Sequence, residues 1–262
     1  MSNELNFPIK YKYTKVIPGD YVAGKIPSAK YMYAGASGNI IKVLSDTSEV
    51  TDASYMFYYC SAPVISDFDT SLVTSMQYMF SYCNYLTAIP NIDTSNAANM
   101  EGMFQTCYEL TYIPPLITSK ATDMSSMFYS CKKLTSIPPI ITSNATDTSS
   151  MFSGCEKLES IPELDFGKVT NLYSIFYKCD SLTDLGGFKD LGKQNSVSGT
   201  SSSFLSYTPN ITHQSLMNVI NKLYDRKANG MSTMTLNLGS TNLAKLTDEE
   251  KAIAINKGWN LS

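Results

Sequence analysis

The sequence carries little charge: Asp, Glu, Lys and Arg make up 16% of its 262 residues, and the net charge is −3. Soluble domains typically carry about 25%. A clustered basic face for nucleic acid is therefore not expected. There is one His and one Trp, which leaves little for imidazole chemistry or a His-rich metal site. No apolar run approaches the ~18 residues of a membrane span. Residues 1–10 show no basic segment followed by an apolar one, so no signal peptide is read in the given chain. A Gly-rich phosphate loop, Gly-x-Ser-x-Gly, His-Glu-x-x-His and an EF-hand pattern are all missing. The expectation is no enzyme, no cofactor and no metal.

What the chain has instead is Tyr (18), Met (13) and six Cys. The cysteines are Cys60, Cys83, Cys107, Cys131, Cys155 and Cys179, spaced by 23, 24, 24, 24 and 24. Three residues before each stands a Phe: Phe57, Phe80, Phe104, Phe128, Phe152 and Phe176. Met56, Met79, Met103, Met127, Met151 or Ile175 precedes each Phe, and Leu86, Leu110, Leu134, Leu158 and Leu182 follow five of the cysteines. Ile89, Ile113, Ile137 and Ile161 come next, each followed by Pro. A degenerate earlier copy lies at Met32-Tyr33, with Ala36 in the Cys position. A fixed period of this length marks stacked repeats that bury a shared core.

Met124, Met127, Phe128 and Cys131 fall at i, i+3, i+4 and i+7, one face of an α-helix. Asp52, Ser75, Asn99, Asp123, Asp147 and Asn171 precede these stripes and are all N-cap types. Each copy is expected to hold a helix of about two turns, too short to persist alone. Stretches such as Leu134–Ile137 alternate like a short strand, which the following Pro ends. The expected fold is α/β: a leucine-rich-repeat solenoid of about seven 23–24-residue repeats, each a short strand plus a short helix. The array should run over 26–188, after an N-terminal cap or docking segment (1–25).

Residues 189–206 read as a Gly/Ser-rich surface loop, and 189–262 as that loop plus a C-terminal capping unit with longer helices. Thr212 should N-cap a helix burying Leu216, Val219, Ile220 and Leu223. Thr247 with Glu250 is a capping-box pair, and Gly258 a C′ stop. Leu236 and Leu238 suit a strand, and Trp259–Leu261 a final one.

The pattern Met-Phe-x-x-Cys-x-x-Leu-Thr-x-Ile-Pro, clearest in residues 119–142, resembles the BspA-like leucine-rich repeats of bacterial surface proteins. The resemblance covers about 26–188, and residues 215–220 and 238–250 look like the closing segment of such proteins. It implies attachment to a protein or a cell-surface glycan, outside the cell. Related segments occur in phage tail proteins. Finding neither a leader nor an anchor favours a virion component docked to a larger assembly through 1–25, another export route, or a chain shortened at its N-terminus.

The cysteines could be disulfides, metal ligands or a buried apolar column. Helices on successive coils would lie ~8–10 Å apart, whereas a disulfide needs Cα atoms within about 7 Å. Metal sites need tighter Cys/His clusters. The column therefore reads as core, together with the Phe ladder. His213, at a helix start, has no nucleophile or orienting partner placed by the sequence. Tyrosine is the remaining signal. Tyr55, Tyr59, Tyr78, Tyr82, Tyr85, Tyr108, Tyr112, Tyr129, Tyr173 and Tyr177 occupy variable positions, denser in the N-terminal half. They suit either half-buried edges between coils or a binding surface. Tyr55, Tyr78, Tyr82, Tyr85, Tyr108 and Tyr112 are the candidate binding residues.

Overall fold

The computed structural model describes residues 28–43, 46–202 and 204–262. The expected cap or docking segment, 1–25, lies outside them.

Each apolar stripe turns inward, and the Met, Phe and Cys columns are buried throughout. The backbone that turns them inward is not the expected α-helix. In the coil around Phe128, Met124, Ser126, Phe128 and Ser130 donate their N–H groups to Asp147, Ser149, Met151 and Ser153 of the next coil, at 2.7–3.0 Å. The intervening amides of Met127, Tyr129 and Cys131 donate three residues back, to Met124, Ser126 and Phe128. A helix would send every one of these N–H groups four residues back. Here half of them are taken by the neighbouring coil, so the segment becomes a train of overlapping turns. Left-handed residues recur every fourth position to keep the train going, as at Ser126 (φ 54°) and Ser130 (φ 56°).

The cap-type residues still act as caps. Asp52, Asn99, Asp123 and Asp147 each accept, through a side-chain oxygen, the amide two residues on, as Asx-turns do. They also form a column of single parallel bridges, Ser28–Asp52–Ser75–Asn99–Asp123–Asp147–Asn171–Ser198. A third inter-coil link is made by buried threonines. Thr118 Oγ1 donates to Ile141 O (2.9 Å) and accepts from Ile141 N (2.7 Å). Thr70, Thr94 and Thr142 repeat this with Asp93, Ile117 and Asp165.

The expected strand in every coil is also corrected. Among the described residues of the array, paired strands appear only late: β1 (Ser160–Ile161) with β3 (Asp184–Leu185), and β2 (Leu164–Asp165) with β4 (Phe188–Lys189), both parallel. Proline explains the delay. Gly186 N donates to Ile161 O at 3.0 Å. Pro90, Pro114, Pro138 and Pro162 hold the equivalent position in earlier coils and have no N–H to give.

Residues 189–206, expected as a surface loop, instead continue the stack. Leu191, Val197, Phe204 and Leu205 are buried, and Leu172 N donates to Ser198 O. The closing unit comprises α1 (His213–Lys222), β5 (Met234–Leu236), α2 (Ser240–Leu243), α3 (Asp248–Asn256) and β6 (Trp259–Leu261), with β5 and β6 parallel. Thr212 caps α1, whose Leu216, Val219 and Ile220 are buried along with Leu223 just beyond it. The short α2 has no counterpart in the sequence reading. Arg226 is buried without a carboxylate; its guanidinium donates to the carbonyls of Gly192, Gln194, Asn195 and Ser232 and pins the 192–195 turn.

The capping box of α3 is complete: Glu250 N donates to Thr247 Oγ1 and Thr247 N to Glu250 Oε2. Thr247→Ala should cost about 1 kcal/mol in denaturant unfolding. A change under a few tenths would show that the closing unit does not unfold with the array.

Candidate binding face

The inner ladder defines what is left for the outside. Phe57, Phe80, Phe104, Phe128, Phe152 and Phe176 stack with centroids 5.3–5.9 Å apart and planes within 9°. Beside them all six cysteines are free and buried. Their columns do not have the helix–helix separation expected from the sequence. Successive coils share backbone hydrogen bonds, so they sit about 4.8 Å apart, as parallel strands do, not at helix–helix distance. The thiols are instead occupied by carbonyls. Cys83, Cys107, Cys131, Cys155 and Cys179 donate to the Phe carbonyl of the preceding coil at 3.0–3.1 Å. Burial pushes the thiols of Cys131 and Cys179 up to about 12 and raises Cys83, Cys107 and Cys155 as well. Cys60 is lowered by its hydrogen bond with Cys83. Among the described residues no group of three or more His, Cys, Asp or Glu is arranged to hold a metal ion. No described helix is long and apolar enough to cross a membrane.

A second aromatic system lies outside the turn train. Tyr31, Tyr55 and Tyr78 stack at 4.8 and 5.1 Å. Tyr59 and Tyr82 form a parallel stack at 4.5 Å, with planes 4° apart. Tyr58 stands between them, edge-on to Tyr55, Tyr59 and Tyr82. Tyr78 O–H donates to Glu101 Oε1, and Gln77 Nε2 donates to Glu101 Oε2, both at 2.6 Å. Burial and the neighbouring Glu101 carboxylate hold the Tyr78 phenol above its usual range, and burial does the same for Tyr58. These phenols stay protonated at neutral pH.

Of the six candidate residues, the structure gathers Tyr55, Tyr78 and Tyr82 into this patch. Tyr85 (61% exposed) and Tyr112 (64%) project to solvent, and Tyr108 lies under Lys132 at 5.6 Å. Among the described residues, none of these three touches another aromatic ring. The sequence reading missed Tyr31 and Tyr58. Tyr31 stands 24 residues before Tyr55, so the period itself could have found it. Nothing in the sequence signals that Tyr58 bridges two stacks.

The backbone under the patch is unusual. Tyr31, Tyr55, Tyr59, Tyr78 and Tyr82 all have left-handed φ of 52–62°, a conformation costly for bulky residues. Later coils hold Gly102, Thr106, Ser126, Ser130, Ser150, Gly154, Ser174 and Lys178 at the same places. The aromatic choice is therefore confined to the first three described coils. His213 Nε2 lies 2.9 Å from Glu250 Oε1 on the exposed start of α1.

No curated relative and no solved structure matches the chain. One family does, in two overlapping segments, 28–136 and 111–212, so that the match runs over the stacked coils and covers more than half of the chain. The chain belongs to the family described as Mycoplasma protein of unknown function, DUF285.

Proposed function

We propose that this chain is a BspA-like leucine-rich-repeat solenoid that acts as a non-enzymatic recognition module, binding a protein or cell-surface glycan through an extended repeat face. It would work outside the cell, on a bacterial surface or a virion. The observation that carries the reading is the tyrosine patch. Half-exposed aromatics are placed at backbone positions where small residues are cheaper, and only in adjoining coils. Tyr supplies contact area with a polar tip at low entropic cost, which suits an interface. The turn-train columns, fixed by the inner Phe and Cys ladders, provide a rigid support on which such a surface needs little ordering to bind.

The test is binding of the purified chain to intact cells and to arrays of surface proteins and glycans. Changing Tyr55, Tyr78 and Tyr82 together to Ser should weaken binding about tenfold or more, with Tm within a few degrees of the parent. Unchanged binding would make these side chains structural.

A further inference from the structure

We infer that the outer face of the Tyr59 ring is a subsite for a neutral sugar ring. This rests on the recognition reading above and names the chemistry of its ligand. The register of the coils creates the opening. Gly35 N donates to Tyr58 O at 2.7 Å, and Tyr59 N to Ser81 O at 2.9 Å. Gly35, Tyr59, Tyr82 and Thr106 thus follow one another in a single column of left-handed positions. Tyr59 covers one ring face with Tyr82. On its other side the column continues to Gly35, which has no side chain. Tyr59 is 49% exposed.

The surroundings select the ligand. Tyr58 stands edge-on to Tyr59 at 4.7 Å and forms one wall of the shelf. A phenol face is apolar and slightly electron-rich, so it suits the C–H face of a pyranose. Neighbouring protonated phenols suit the hydroxyl rim. The nearby charges belong to the other stack: Lys30 lies over Tyr31 and Tyr55, and Glu101 is engaged by Gln77 and Tyr78. Among the described residues the ring contacts of Tyr59 are with Tyr58 and Tyr82, so the shelf is built of neutral phenols. Protein interfaces of high affinity seat apolar anchors in pockets. Two hollows, one beside Trp259 and Ile255 and one between Ile141 and Lys189, are lined by residues outside this patch.

The experiment is isothermal titration and ligand-observed NMR of the full chain with neutral gluco-, manno- and N-acetylglucosamine hexasaccharides, against heparin and sialyllactose. At least one neutral oligosaccharide should bind. Gly35→Tyr should weaken it about tenfold at unchanged Tm, because the next two coils already carry Tyr at this left-handed position. Tyr59→Ser should weaken it equally, and Tyr85→Ser not at all. Binding of the anionic probes alone, no sugar binding, or titrations unaffected by both Gly35→Tyr and Tyr59→Ser would overturn the subsite. If the parent chain still adheres to cells in such a case, only the subsite fails. If it adheres to nothing, the recognition reading fails with it.

Discussion

Raising the pH from 9 to 12 is expected to unfold the chain cooperatively. The thiols of Cys83, Cys107, Cys131, Cys155 and Cys179 all have pKa values held above the ordinary value by burial, Cys131 and Cys179 reaching about 12. In the unfolded chain they ionise near the ordinary thiol value of 9.0. Between these limits the unfolded state binds fewer protons than the folded one, so stability falls as pH rises. It is fully present below pH 9. Each thiol shifts the folding equilibrium by up to about tenfold per pH unit in this window, and five act together because they share one core. Circular dichroism against pH, with denaturant midpoints at each pH, measures the effect. Replacing Cys107, Cys131 and Cys155 by Ala should flatten the pH dependence above 9. Phenols add to it through Tyr58 and Tyr78, and ultraviolet absorbance separates thiolate from phenolate. A parent chain whose stability is flat from pH 9 to 12 would show that these thiols are not buried in solution.

Phe128→Ala should be the most damaging single substitution tested in the middle of the array. Phe128 lies between Phe104 and Phe152, at 5.8 Å from each, and has no exposed surface. Truncating such a ring typically costs about 3–5 kcal/mol. Two neighbours lose a stacking face at once, and the coils cannot close the gap because their amides fix the spacing. The expected result is a fall of roughly 10 °C in Tm. Since each coil contacts only its neighbours, the damage should be local. Hydrogen exchange should speed up first in the coils around 104, 128 and 152, while α1 and α3 stay protected. Phe128→Leu, which keeps most of the volume, should cost clearly less. A loss below about 1 kcal/mol for Phe128→Ala would mean that the ring is not packed as described.

Much of this was legible in the period. The inward residues follow from the i, i+3, i+4, i+7 stripe, and the Met, Phe, Cys and Leu columns are where it puts them. The cap chemistry of Asp52, Asn99, Asp123 and Asp147 was also readable, because an Asx side chain serves a helix start and a tight turn alike. The closing helices were readable from Thr212, Thr247 and Glu250 because caps are local signals. The tyrosine excess was denser in the N-terminal half of the array, where the outer ring stacks form. It could not sort Tyr78 and Tyr82, which stack with their neighbours, from Tyr85 and Tyr112, which stand alone. That sorting depends on which residues share a column once the coils are in register.

The sequence by itself determined the number and length of the coils, their buried columns and the chemistry of the closing unit, because apolar spacing and caps act over a few residues. Only the tertiary structure decided what backbone lies between. The same stripe fits a helix or a train of turns. The turns win because alternate N–H groups of Met124, Ser126, Phe128 and Ser130 find carbonyls on the neighbouring coil. That choice also sets the left-handed positions, hence the column in which Tyr59 follows Gly35. No local propensity places tyrosine there, since the partners that offset its backbone cost lie a whole coil away.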